Sequence, residues 1–374
     1  MDPNNLAQLA DDTAIYADNI NSLISKFRLL LQFSEKKHQV PNIKKTQFCH
    51  FSHHPVTDTL QLDENTEIQS VHVLKGYKYL GMYFYPTDNI KNTILKNINK
   101  RMAHVAKFYA WLEINEHTPV GIKLLVLDSC VFGALLYGVE AWGDVSHIED
   151  KLRKIELKAL KAILKLKKGT TNDLVYHELR RPDIISKIKD RQYKFFDKLV
   201  NTDASDATVR SALEMCKDSR FIRYYFDLKD NNESTNMQER ENRIMNSTDS
   251  MCIYYRQLFA DLSIIYSSMS NDYFRYIITR WRLSNHTLQI EIGRYARPKV
   301  ERRDRVCNHC NVLEDEFHAV FVCPLYDSIR SKFSDILSEQ NISVFLNPTE
   351  DRIQPTAMFL HELEKFRDDL FGEV

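Results

Sequence analysis

The stretch CNHCNVLEDEFHAVFVC places Cys307, Cys310, His318 and Cys323 within seventeen residues. A CxxC knuckle, then a histidine after seven residues and a cysteine after four more, can close a tetrahedral site of the kind a structural zinc ion takes. This constrains the fold strongly, because four side chains must converge on one point. Four protein ligands leave no open position for water, so the expected zinc is structural and not catalytic. His309 is a substitute ligand. The bland alternative is a chance CxxC beside a core histidine and a buried cysteine.

The remaining cysteines argue for a reducing compartment. Seven in all is an odd number without disulfide-framework spacing, which fits an intracellular protein of nucleus or cytoplasm. No basic segment followed by an apolar stretch opens the chain, so no secretory signal is expected. The most apolar run, VGIKLLVLDSCVFGALLYGVEAW, is interrupted by Lys123, Asp128 and Glu140 and reads as a buried helix, so no membrane partner is expected. At 374 residues two or three domains are expected, and only 9 Gly and 10 Pro point to long helices.

Strand character is confined to the first ninety residues. TAIYA reads as a short strand, and NSLISKFRLLLQF puts Leu23, Ile24, Phe27, Leu30 and Leu31 on one helical face. KKTQFCHF, TLQL, EIQSVHVL and YKYLGMYF follow as short β-type runs between turn formers. The fold class expected is therefore mainly α with a small N-terminal α+β part. Cys49, His50, His53 and His54 sit on one of these runs, where alternation splits them between faces, and they read as ordinary structure. Thr118 and Pro119 mark a helix start. Residues 201–250 turn polar and read as a linker or exposed helix. Helical runs then resume and end in an amphipathic segment near AMFLHELEKFRDDLF.

The formal net charge is +0, so a polyanion surface must come from clustering. Two clusters occur. KLRKIELKALKAILKLKK, residues 151–168, reads as a helix with an apolar stripe and eight Lys or Arg against one Glu. A solvated helix commonly carries lysines, but this excess favours phosphate contact through Lys158, Lys161, Lys165 and Lys168. RYARPKVERRDR, just before the CxxC, carries Arg297, Arg302 and Arg303 among six basic residues and suits either phosphate contact or a plain solvated charge run.

Asp11 and Asp12 in LADDTAIYA are bland alone, since Asp pairs are common in turns. Followed by a helix, NIKKT and YKYLG, they resemble the back half of the palm of a reverse transcriptase of the non-LTR retrotransposon kind. ALLYGVEAWG is similar to the apolar thumb helix of such elements, and LSNHTLQIEIGRYARPKVERRDRVCNHC with EDEFHAVFVCPLYDSIRSKF resembles their C-terminal zinc-knuckle region. The resemblance implies Asp11 as a metal-binding palm aspartate with Asp12 beside it. It implies Lys45 near departing pyrophosphate, Asn42 and Thr46 shaping that loop, and Tyr79, Leu80 and Gly81 on the surface that grips a primer. It also implies a palm part over 1–90, a helical thumb over 91–200, a linker or exposed helix over 201–250, and a helical region over 251–374 with its knuckle at 305–326. RNA or DNA are the implied partners.

In that family a second essential aspartate comes from an earlier palm strand, and two-metal transfer needs carboxylates on both ions. Ten residues precede Asp11, so the expectation is a truncated reverse transcriptase that binds nucleic acid and zinc without polymerising alone, with Mg2+ only if further sequence completes the palm site. Two alternatives stay open: part of an active RNA-directed DNA polymerase, and a non-catalytic zinc-dependent interaction module.

Overall fold

A computed structural model describes residues 6–9, 12–51, 59–63, 66–71, 75–201, 214, 220–230, 235–258, 266 and 272–372. The chain is mainly helical, and every strand among the described residues lies between Leu6 and Phe84. Two compact units are interleaved in sequence. The first comprises Met1–Ala103, Ala134–Glu149 and Ile188–Asn232, and the second His104–Gly133, Asp150–Lys187 and Glu233–Val374. The helices Ile90–Ile114 and Ile184–Val200 each contribute residues to both.

In the first unit, strands Leu6–Leu9 and Asp12–Ile15 form an antiparallel hairpin with Leu9 opposite Asp12. The helix Ile20–Lys36 follows, capped by Asn19, whose side chain accepts from Ser22 N at 2.9 Å. A three-stranded sheet places Glu67–Ser70 in the middle, parallel to Gln47–Phe48 and antiparallel to Thr59–Gln61. Helix and sheet close on a core of Phe27, Phe48, Leu60, Leu62 and Ile68, with Leu23, Ile24, Leu30 and Leu31 packed against it. These are the apolar positions expected from the 3.6-residue spacing. The 47–48 strand ends before Cys49, and His53 and His54 lie outside the described residues.

A second hairpin joins Tyr77–Tyr79 to Met82–Phe84. Leu80 and Gly81 form its turn at φ +45° and +81°, the left-handed geometry of a two-residue hairpin. Buried Asn97 of helix Ile90–Ile114 accepts from Tyr83 N at 2.9 Å and donates to Tyr83 O at 2.8 Å, so the helix is fixed to the hairpin edge. Elsewhere in this unit Gln192, fully buried, donates to Val139 O and Gly143 O, both at 2.9 Å, and Phe196 stacks on Tyr225 at 4.9 Å.

The second unit is helical. The apolar run begins as a helix at Val120–Val126 and continues through a π turn at Leu127–Phe132, with Pro119 rather than Thr118 at the cap position. No helix among the described residues is long and apolar enough to cross a membrane. The helix Asp272–Arg282 packs on Ile353–Phe371, the amphipathic C-terminal helix, and Trp281 Nε1 donates to Glu364 at 3.0 Å.

Glu178 and Arg282, each 0% exposed at the side chain, form the central ion pair, with Arg282 Nε to Glu178 Oε1 at 2.6 Å. Tyr255 and Tyr266 donate to the same carboxylate at 2.7 and 2.9 Å. Burial pushes the Glu178 carboxyl up, but Arg282 and the hydroxyls outweigh it and hold it below the ordinary value. The polar stretch within 201–250 is not an exposed helix throughout. Thr235–Asn246 buries Arg240 and Ile244, and the Arg240 guanidinium lies over Tyr176 and near Asp173 and Asp183. Arg240 thus carries charge used in internal pairing.

Candidate metal centre and cation-bearing loop

The knuckle is built by backbone geometry first. Cys307 N donates to Val312 O at 2.7 Å and Asn311 N to Cys307 O at 2.8 Å, while Val306 and Leu313 pair as an antiparallel bridge. Asn311 takes φ +57°, a left-handed position that asparagine tolerates better than most residues. The chain then turns into a short π helix, His318–Val322, whose entry is capped by Asp315 Oδ1 accepting from His318 N at 2.9 Å. The wide turn closes with Cys323 N donating to His318 O at 2.8 Å, so the last two ligands are tied to each other by main chain.

Ligand atoms of Cys307, Cys310, His318 and Cys323 all lie within 4.8 Å of one another, close enough to hold one metal ion. Cys323 Sγ is 3.8 Å from Cys307 Sγ and 3.5 Å from Cys310 Sγ. Tetrahedral ligation with metal–sulfur bonds of about 2.3 Å gives sulfur–sulfur edges of about 3.8 Å. His318 Nε2 is buried and has no hydrogen-bond partner. A buried ring nitrogen left without a protein partner, on a histidine grouped with three cysteines, makes the donor set compatible with zinc. Burial lowers the His318 pKa, keeping the ring neutral, and raises the Cys323 thiol to about 12. His309 is exposed and stands outside this group.

The basic segment before the knuckle divides into two kinds of residue. Arg305 is buried: its Nη1 donates to Ile290 O at 2.7 Å and its Nε to Val300 O at 3.0 Å. Gly293 makes room for it, since a Cβ there would meet Arg305 Cγ at 2.7 Å. Arg294 donates to both carboxylate oxygens of Asp249 at 2.6 and 2.7 Å. Arg297, Lys299, Arg302 and Arg303 are exposed, on a loop tied down by Val300 N to Gly293 O at 3.0 Å. Arg303 has a weak neighbour in Asp304 at 3.7 Å. The anchored arginines thus hold a loop that presents the exposed cations.

The helix expected over 151–168 runs only over Glu149–Ile163. Lys165 N donates to Ala162 O and Leu166 N to Lys161 O, with Lys165 at φ +51°, a left-handed helix end that occurs here without glycine. Lys158 is exposed, its ammonium 5.2 Å from the Tyr109 ring. Lys161 Nζ donates to Lys168 O, Thr170 O and Asn172 Oδ1 at 2.9, 2.6 and 2.9 Å, which uses all three of its N–H donors internally. Lys165 pairs with Glu116 at 3.2 Å, and Lys168 is exposed. The single acid of the 151–168 stretch, Glu156, is fully buried, accepting from Tyr176 Oη and Ile184 N at 2.7 Å each.

In the first unit Asp12 is exposed at the start of its strand, and Asp11 lies outside the described residues. The Tyr77 hydroxyl is pushed up by burial, by the Asp12 charge and by Tyr79. Arg101 donates to Gly81 O at 2.9 Å and Tyr137 O at 3.1 Å, while Tyr137 Oη donates to Leu80 O at 2.8 Å. These links pass through ALLYGVEAWG and were not anticipated from the sequence, where nothing pairs a tyrosine with a turn carbonyl 57 residues away. Lys45 is exposed at the end of the 3-10 turn Ile43–Lys45, which Asn42 caps by accepting from Lys45 N at 3.2 Å. Thr46 Oγ1 donates to Asn42 O at 2.9 Å.

No family model matches the chain, and no curated protein or solved structure matches it significantly.

Proposed function

We propose that the chain is a nucleic-acid-binding protein of the non-LTR reverse-transcriptase kind, in which a structural zinc ion on Cys307, Cys310, His318 and Cys323 sets a basic loop against the phosphates of RNA or DNA. The observation that carries this reading is the loop itself: Arg297, Lys299, Arg302 and Arg303 are exposed within a few residues of the metal-ligand group, on backbone pinned by Arg305 and Gly293. Like charges held this close repel one another unless an anion is brought to them, and a nucleic-acid backbone is the anion of matching extent. The Asp12 charge felt at Tyr77 of the YKYLG strand, and the Tyr-Leu-Gly turn of that hairpin, support the family part of the proposal. Lys158 and Lys168 are the exposed candidates on the second cluster.

The function proposed is binding. Each neutralised phosphate contributes about −0.7 to the slope of log affinity against log salt on single strands and about −0.9 on duplex. Replacing Arg297, Arg302 and Arg303 by alanine together should therefore flatten the slope by about 2 on single strands and about 2.7 on duplex, with zinc content unchanged. Affinity that ignores salt in the unmodified protein would overturn the reading in favour of a zinc-dependent interaction module. Primer extension on an RNA template with Mg2+, lost in Asp11→Asn, would replace it with that of an RNA-directed DNA polymerase.

A further inference from the structure

Two basic stretches far apart in sequence meet within the second unit. The loop after the helix Glu149–Ile163 carries exposed Lys167 and Lys168, and the loop before the knuckle carries exposed Arg297 and Lys299. Tyr295 stands at their seam. A Cβ built on Gly169 would lie 2.7 Å from Tyr295 Oη and 3.0 Å from its Cε1, so the tip of the ring rests on the glycine beside Lys168. Both loops are fixed from beneath. Lys167 N donates to Oδ1 of buried Asn285 at 2.9 Å, and Asn285 Nδ2 donates to Thr170 Oγ1 at 2.6 Å. Thr171 Oγ1 at 3.4 Å and Arg294 Nη2 at 2.7 Å donate to the same Asp249 oxygen, which ties the first loop to the helix that ends at Tyr295. The Tyr295 hydroxyl is pushed up chiefly by burial and by the Glu291 charge, and the Arg294 guanidinium lies 5.7 Å from the ring centroid. The ring is thus held at its tip while the residue stays 46% exposed.

We propose that Lys167, Lys168, Tyr295, Arg297 and Lys299 form one surface for a single strand of nucleic acid, whose phosphates cross from one basic loop to the other and one of whose bases stacks on Tyr295. This rests on the nucleic-acid reading above and names the strand that the site takes. Cations of one sign fixed on two adjoining loops repel one another, and a polyanion that spans both relieves the repulsion at both. The ring selects the kind of strand. Bases in a duplex are stacked on each other and show only their edges in the grooves, whereas an unpaired base can lay its face on an aromatic side chain. One such contact raises affinity about 5- to 150-fold and tolerates any base. Gly169 is what allows the ring to lie at the seam, since any side chain there would meet it.

The test uses the zinc-loaded full chain with a labelled oligouridine of about ten nucleotides, within the range of single-strand site sizes, and an RNA duplex of the same length, each titrated across a salt series. Lys168→Ala and Arg297→Ala should each flatten the single-strand slope by about 0.7, and together by about 1.4, at one strand per chain. Tyr295→Leu should lower single-strand affinity at least about fivefold while leaving the slope and the duplex affinity unchanged. Tyr295→Phe, which keeps the ring, should restore most of the loss. A slope moved by only one of the two cation substitutions shows that the loops bind separately, which overturns the shared surface and leaves the proposed function standing. An equal loss on duplex in Tyr295→Leu, or no recovery in Tyr295→Phe, overturns the stacking. If Tyr295→Leu does not fold, the two cation substitutions, both at exposed positions, decide the shared surface alone. Absence of any salt-sensitive binding in the unmodified chain overturns the function itself.

Discussion

Substituting Cys323→Ser tests the candidate metal centre directly, because its sulfur lies 3.8 and 3.5 Å from the Cys307 and Cys310 sulfurs. Structural zinc in small knuckles contributes about 10–16 kcal/mol of apparent binding free energy at neutral pH. A domain's whole net stability is about 5–15 kcal/mol. Losing the ion therefore removes more than the surrounding segment can spare, and residues from Arg297 through Arg330 should lose hydrogen-exchange protection together. The linkage to pH has a fixed sign. Cysteine thiols ordinarily titrate near 8.5, so three protons leave as zinc binds below that pH. His318, exposed once the segment opens, ordinarily titrates near 6.5 and so releases little above about pH 7. The logarithm of apparent zinc affinity should then rise by about three per pH unit between about pH 7 and 8. Competition with a chromophoric chelator at several pH values measures the slope, and cobalt substitution reports whether the ligand field is tetrahedral with sulfur. One zinc per chain in the parent and none in Cys323→Ser are expected. A slope of two or less, or affinity unchanged in His318→Ala, would refute the four-ligand assignment.

Three further perturbations follow from buried contacts. Glu178→Gln leaves Arg282 buried beside a neutral partner and should cost about 3–5 kcal/mol in urea denaturation, whereas Glu178→Leu combined with Arg282→Met should recover much of the loss. Because the Glu178 pKa is lowered on folding, the pair's contribution should be complete above the ordinary carboxylate value and fade as pH falls through the depressed one, a dependence that Glu178→Gln abolishes. Lys161→Met should cost about 1–3 kcal/mol by stripping donors from three acceptors while leaving the salt slope of nucleic-acid binding intact; Lys168→Ala should do the reverse, with stability unchanged and the slope flatter by about 0.7–0.9. Gly293→Ala drives a methyl against Arg305 and should cost about 1–3 kcal/mol, with lower nucleic-acid affinity because the cationic loop loses its anchor; unaltered thermal stability would show that the arginine simply moves aside.

What the sequence reveals and conceals is decided by how local the determining physics is. The knuckle was legible because its four ligands fall within seventeen residues and their spacing alone fixes which of them can meet. The apolar face of Ile20–Lys36 was legible for the same reason, since a 3.6-residue period is a local property. The fate of charge is not local. Lys161 and Lys168 both looked like surface cations, but Lys161 turns inward because the left-handed end at Lys165 folds the following loop back over it, and the Lys168 and Thr170 carbonyls and Asn172 Oδ1 accept its three N–H bonds. Glu156 and Arg240 were hidden likewise: each becomes buried through partners supplied by other helices, and neither composition nor period names a partner.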